Sequence, residues 1–138
     1  MTQRSAGQLV DAIYGAMNAR DLDALDDLFA PDFLDHQDAR RGVEPLKGQL
    51  RSFLAAFSDL RIDVDDVVGD GDRFASRTTV TGTHDGELMG LPPTGVVISV
   101  TAIDLVRTEG GRVVERWGGL DMYALLVQLG VIPQPAPA

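Results

Sequence analysis

Residues 96–119 read VVISVTAIDLVRTEGGRVVERWGG, and this stretch decides the fold. From Val96 to Arg107 the even positions are Val96, Ile98, Val100, Ala102, Asp104 and Val106, a row broken by a single carboxylate. Alternation in a segment this rich in β-branched residues predicts a long strand. Glu109-Gly110-Gly111 supplies a hairpin turn, and Arg112 to Gly119 returns beside the first strand. Upstream the period is also two: Leu60, Ile62 and Val64 alternate with charged residues, Gly69-Asp70-Gly71-Asp72 turns the chain, and Arg73 to His84 is Thr-rich and strand-like. The second half is therefore an antiparallel meander.

The first half has a helical period. Ser5 can cap a helix whose apolar stripe is Leu9, Val10, Ile13 and Met17. Asp21 can cap a short second helix with Leu22, Leu25, Leu28 and Phe29 inward, ended by Pro31. Asp32 to Gln37 reads as a brief strand or loop. A third helix runs from about Val43 to Phe57, with Leu46, Leu50, Phe53, Leu54 and Phe57 on one face and Pro45 in its first turn. A short last helix spans about Asp121 to Leu129. Helices followed by a meander define an α+β domain over residues 1–132, with helices on one face of a curved sheet and a pocket between the layers. The tail, residues 133–138, has no apolar pattern and reads as flexible.

Strand parity selects the residues that share the pocket. A two- or four-residue turn at Glu109 to Gly111 pairs positions of opposite parity. Asp104 then shares a face with Val113, Glu115, Trp117, Gly119 and, if the strand continues, Asp121, whereas Arg116 points to the other face. A carboxylate among apolar neighbours loses solvation of its charged form, which suits general acid/base work. Asp104 is either such a group or a strand residue paired with Arg116 or Arg77. Asp121 is either its partner or the N-cap of the last helix, and the two roles are compatible. The run Asp63, Asp65, Asp66 alternates with valines and reads as a solvated strand face.

Composition narrows the function. Twenty-one Asp and Glu against twelve Lys and Arg give a net charge of −9, which repels phosphate backbones and anionic lipid surfaces, so neither nucleic acid nor membrane is an expected partner. With no cysteine and two histidines, no metal site is expected. No stretch approaches the length of a membrane span and no leader pattern opens the chain, so the expected location is cytoplasmic.

Four segments carry a family resemblance: Tyr14-Gly15-Ala16-Met17-Asn18-Ala19-Arg20-Asp21, Phe29-Ala30-Pro31-Asp32-Phe33-Leu34-Asp35-His36, Gly82 to Gly95 with its Gly-Leu-Pro-Pro-Thr-Gly loop, and Trp117 to Gly130. Together they resemble the SnoaL-like polyketide cyclases of the nuclear transport factor 2-like superfamily over nearly the whole chain. The resemblance implies a cone-shaped α+β barrel around a buried apolar cavity, often as a homodimer. It implies an enzyme without metal or cofactor that closes a polyketide ester ring by an intramolecular aldol reaction on a hydrophobic, carbonyl-rich small molecule.

An aspartate at the start of the last helix is the acid/base in the characterised cyclases, and Asp121 occupies that position. The chain departs from the family at Asp104, where we align a histidine of the cyclase pocket. His36 lies near the cavity mouth in family members and so joins Asp121 and Asp104 as a catalytic candidate. Trp117, His84, Phe33, Phe53, Phe57, Met89, Leu91 and Leu125 are the expected substrate-binding or lining residues. Two further function classes stay open beside the cyclase. One is hydroxylation or epoxide hydrolysis on the same fold; the hydrolase would need an Asp/Arg/Asp cluster, with Asp104, Arg116 and Asp121 the nearest candidates. The other is a binding module or interaction domain without catalysis.

Overall fold

The computed structural model describes residues 4–37 and 39–135. Helix α1 (Ala6–Asn18) opens with a capping box in which Ser5 Oγ accepts from Gln8 N at 3.1 Å and Gln8 Oε1 accepts from Ser5 N at 2.9 Å. Its stripe of Leu9, Val10, Ile13 and Met17 is buried, as the spacing predicts. At its C-terminal end Asn18 clamps the backbone of Ile62, donating to the carbonyl at 2.8 Å and accepting from the amide at 2.9 Å, which pins the helix to strand β3 (Arg61–Asp70).

The second helix is a 3₁₀ turn, Leu22–Asp27, and Asp21 makes no side-chain cap to it. Pro31 does not end a helix. It sits in strand β1 (Phe29–Asp35), which a two-residue strand β2 (Arg40–Arg41) flanks. Helix α2 (Val43–Ala56) is followed by β3, β4 (Arg73–Thr83), β5 (Val97–Glu109), β6 (Arg112–Leu120) and helix α3 (Met122–Gln128). Residues 133–135 lie outside any helix or strand, and the rest of the expected flexible tail lies outside the described residues.

The six strands form one sheet in the order β2-β1-β6-β5-β4-β3. N-terminal helices, this sheet and a short last helix bear out the expected α+β class, and the sheet differs from a closed antiparallel barrel in two ways. The sheet is open, since its end strands β2 and β3 each pair with one neighbour and not with each other, and it is mixed, because β1 runs parallel to β6. The concave face carries the core, with α1 and α2 packed over it. The only lysine, Lys47 on α2, is 2 % exposed and reaches Asp26 at 2.8 Å and Asp23 and Glu44 at 3.3 Å, so it ties α2 to the 3₁₀ turn through carboxylates that themselves stay in water.

The β5–β6 register departs from the expected parity. Gly110 and Gly111, at φ +58° and +79°, form a two-residue turn closed by Glu109 opposite Arg112, and Thr108 faces Val113 as opposite parity requires. The next pair is Arg107 with Glu115, which leaves Val114 as a bulge. One extra residue turns every later side chain to the other face. Beyond the bulge Arg116, Gly118 and Leu120 therefore share the concave face with Asp104, while Glu115, Trp117 and Gly119 turn outward, the reverse of the sequence reading.

Candidate active site

Between the sheet and the helices lies a cavity of about 920 Å³. Val10, Ile13, Tyr14 and Met17 of α1, Leu46, Leu50 and Phe53 of α2, and the inward rows of β4 and β5 supply most of its wall. Leu88, Met89 and Gly90 of the β4–β5 loop close one side. A smaller depression of about 500 Å³, bounded by Arg20, Asp21, Asp23 and Arg51, carries mixed charge and contains none of the buried ionisable groups. The larger, apolar cavity with few convergent polar groups is the better site.

Those polar groups form one chain. Asp104 is 7 % exposed and lines the cavity. Its Oδ1 accepts from Arg116 Nε at 2.8 Å and its Oδ2 from the Tyr14 hydroxyl at 3.1 Å. Arg116 Nη1 donates to Asp35 Oδ2 at 2.7 Å and to Gln37 Oε1 at 3.3 Å. Ser76, opposite Asp104 in the register, stands 3.4 Å from the Tyr14 oxygen. Burial works against charge on Arg116, yet Asp104 and Asp35 more than offset it and hold the guanidinium above its ordinary value. Burial, with the Asp104 charge adding to it, pushes the Tyr14 phenol well above its ordinary range, so it stays a donor at all working pH values. A cavity-facing carboxylate thus has a permanent cation on one oxygen and a permanent hydroxyl donor on the other.

The remaining predicted residues divide between cavity and core. Phe53 and Met89 line the cavity. Phe33, Phe57 and Leu125 are fully buried but stand behind it, Phe33 edge-on to Phe29 at 4.9 Å and Phe57 against Phe53 at 6.3 Å. Leu91 pairs with Leu88 in an isolated bridge, and it is Leu88 that meets the cavity. His84 is buried outside the lining, where its Nδ1 accepts from Thr94 N at 3.2 Å and lies 2.9 Å from Thr94 Oγ1, fastening the β4–β5 loop.

Asp121 is exposed. Its Oδ1 accepts from Ala124 N at 3.0 Å, so it caps α3, and it is not among the lining residues. His36 and Trp117 meet on the outer face of the sheet, stacked with ring centroids 4.6 Å apart and planes at 5°. His36 Nε2 is 2.7 Å from Glu115 Oε2, and Arg107 Nε donates to Glu115 Oε1 at 2.7 Å. The hydrogen bond with His36, then that with Arg107, holds the Glu115 carboxyl below its ordinary value. A depressed carboxyl contributes stability above its unfolded-state pKa of about 4.3 and loses it as pH falls through the folded value. Glu115→Gln should therefore melt below wild type at neutral pH, and the gap should close as melting is repeated at pH values falling below the ordinary carboxylate range.

Tyr14, Asp35 and Ser76 are the site residues that the sequence reading does not single out, whereas the Asp104–Arg116 pair is one of the two readings it offers for Asp104. Tyr14 had a signal, because with Val10, Ile13 and Met17 it completes an i, i+3, i+4, i+7 stripe. Arg116 is offered as a partner of Asp104 but placed on the other face, since its inward direction depends on the bulge. Among the described residues no group of three His, Asp or Glu is arranged to hold a metal ion, and no helix is long and apolar enough to cross a membrane.

The fold is thus an α+β layer enclosing an apolar cavity, with a carboxylate–guanidinium–phenol chain on its wall. The sequence profile of the SnoaL-like polyketide cyclases matches residues 7–129, and the chain belongs to that family. Among solved structures, TsrD from Streptomyces laurentii is 30% identical with a TM-score of 0.86, covering 96% of this chain and 100% of its own. AclR from Streptomyces galilaeus, provisionally described as a hydroxylase, is 32% identical with a TM-score of 0.84, covering 96% of this chain and 87% of its own. IdmH from Streptomyces antibioticus, provisionally described as a polyketide cyclase, is 33% identical with a TM-score of 0.82, covering 92% of this chain and 99% of its own. No functionally curated protein matches the chain.

Proposed function

We propose that this protein is a cofactor-independent acid/base enzyme that closes a ring in a hydrophobic, carbonyl-rich small molecule, with Asp104 as the base. The observation that carries this reading is the placement of Asp104, a carboxylate bonded to Arg116 and Tyr14 on the wall of an apolar cavity. The chemistry follows from those contacts. A methylene between two carbonyls gives its proton to Asp104, and its enolate carbon forms a bond to a second carbonyl carbon of the same molecule. The oxygen of that carbonyl becomes an alkoxide and takes the proton back from Asp104, so no net proton is consumed. Tyr14, kept protonated, can shift its hydrogen bond from Asp104 to the enolate oxygen as charge moves there.

The test follows deuterium exchange and ring closure of an anthraquinone-type polyketide methyl ester in deuterated buffer. Asp104→Asn should lose about a hundredfold or more in both rates per folded molecule, with the folded fraction of the variant set by its own melting curve because the substitution also removes one of the two charges that answer Arg116. Asp121→Asn, an equivalent cap, should change them far less. If Asp121→Asn abolishes turnover and Asp104→Asn does not, the base is Asp121, as the family pattern implies, and this assignment fails.

One observation favours a second reaction on the same residues. Asp35, Arg116 and Asp104 form an Asp/Arg/Asp chain, with Asp35 where the sequence reading offered Asp121. Such a cluster suits water activation: Asp104 takes a proton from water, the water oxygen attacks an epoxide carbon, and the released alkoxide recovers the proton. Incorporation of one ¹⁸O from labelled water into an epoxide probe, without exchange on the dicarbonyl ester, would select this reaction. Binding without either would leave a ligand carrier. The homodimer implied by the family would use the outer sheet face, where Val97 and Ile103 are 72% and 56% exposed.

A further inference from the structure

A guanidinium has five N–H donors and no acceptor. On Arg116 the Nε donor serves Asp104 at 2.8 Å, and Nη1 serves Asp35 at 2.7 Å and Gln37 Oε1 at 3.3 Å. Because arginine can only donate, this last contact fixes which end of the Gln37 carboxamide is the oxygen. The other end, Nε2, carries two donors that meet no protein acceptor among the described residues. It is open to a ligand, since Gln37 is exposed and lines the cavity. Two features hold the carboxamide in place. Gln37 N donates to Asp35 Oδ1 at 3.1 Å, which ties its backbone to the carboxylate that pairs with Arg116. Gly119, at φ +143°, leaves the room: a Cβ there would lie 2.9 Å from Gln37 Nε2 and 3.0 Å from its Oε1. The Tyr14 hydroxyl, by contrast, already gives its one proton to Asp104.

We propose that Gln37 activates the electrophile of the ring closure: its Nε2 donates to the second carbonyl of the substrate, the one that the enolate carbon attacks. As the new carbon–carbon bond forms, the π pair of that carbonyl moves onto the oxygen held by Gln37, and the resulting alkoxide takes the proton from Asp104. Negative charge therefore grows on an oxygen that a fixed donor already meets. The donor is strengthened because Arg116 draws on the oxygen of the same carboxamide. Gln37 and Asp104 accept from one guanidinium, so the group that holds the alkoxide and the group that returns the proton are neighbours on one rigid plane. Tyr14 and Gln37 thus divide the two oxygens, Tyr14 taking the enolate and Gln37 the electrophile. This rests on the reading of the cavity as the site of ring closure and adds the donor that the closing step needs beside the base. Arg116 Nη2 also lacks a protein acceptor among the described residues, and the choice of variants separates the two donors.

Gln37→Glu keeps an oxygen for Arg116 and removes the donor, whereas Gln37→Met removes both. Calorimetry with 1-tetralone and with tetralin, its hydrocarbon analogue, reads the donor without turnover. Relative to wild type, the ketone-over-hydrocarbon affinity ratio should fall about threefold to tenfold in both variants. A ratio that Gln37→Glu keeps and Gln37→Met loses would mean that Gln37 only holds Arg116, and it overturns the proposal. So does a ratio unchanged in both variants, or no binding of 1-tetralone by wild type. On the dicarbonyl ester, Gln37→Glu should slow ring closure about a hundredfold, and by at least about tenfold more than it slows deuterium exchange. Equal loss of the two rates overturns the role in the closing step. An ester that wild type neither exchanges nor closes counts against Asp104 as the base, and ketone binding then still decides for or against Gln37.

Discussion

Arg116→Met should unfold with about 3–5 kcal/mol less free energy than wild type, measured from urea transitions at an unchanged m-value. The size comes from the number of charges left behind. Asp35 and Asp104 are 4% and 7% exposed, and one guanidinium answers both, at 2.7 and 2.8 Å. Methionine fills most of the arginine's apolar volume, so the lost cation and its hydrogen bonds dominate over any cavity. A buried carboxylate stripped of its cation escapes the penalty by binding a proton. A folded variant that relieves a buried charge by binding a proton holds more protons than the unfolded chain, so the deficit should narrow as the urea transitions are repeated at lower pH. Adding Asp35→Asn and Asp104→Asn to Arg116→Met should restore most of the loss, because it removes both orphaned charges. A single variant within about 1 kcal/mol of wild type would show that this triad is solvated like a surface pair.

The same triad marks where reading the sequence stops. Asp104 is legible because it interrupts an alternating apolar row, and period two fixes its face without knowledge of any partner. The Ser5 and Asp121 caps are legible because capping is local chemistry within three residues. Strand β1 is not. Leu28, Phe29, Ala30 and Phe33 fit a helix end as well as a strand, Pro31 resembles a helix stop, and what decides the matter is parallel pairing with β6, about eighty residues away. Asp35 joins the site only through that pairing, which sets it beside Arg116. Direction on β6 is lost for a related reason: a single bulged residue, Val114, has no local composition signature, yet it exchanges Trp117 for Arg116 on the cavity face.

That exchange also gives Gly118 a role that its neighbours do not share, and Gly118→Ala should cost about 2–5 kcal/mol, against about 1 kcal/mol for Gly110→Ala. Gly110 also has positive φ, +58°, but a Cβ there meets nothing within 4 Å. At Gly118, φ is +103° and a Cβ would stand 2.2 Å from the Ile103 carbonyl oxygen and 3.3 Å from the Asp104 Cα. The obstacle is backbone of the adjacent strand, which no rotamer change can clear, so β6 must move away from β5 at the Asp104–Gly118 pair. Asp104 and Arg116 are held by β5 and β6 respectively, and a displacement of a few tenths of an ångström would lengthen the 2.8 Å bond between them. The Gly118 variant should therefore lose turnover beyond its loss of folded protein, shown by a reduced kcat per folded molecule when urea midpoints set the folded fraction. Gly110→Ala should lose stability alone. Equal kcat per folded molecule in the two variants would mean that the β5–β6 spacing does not position Asp104 against Arg116.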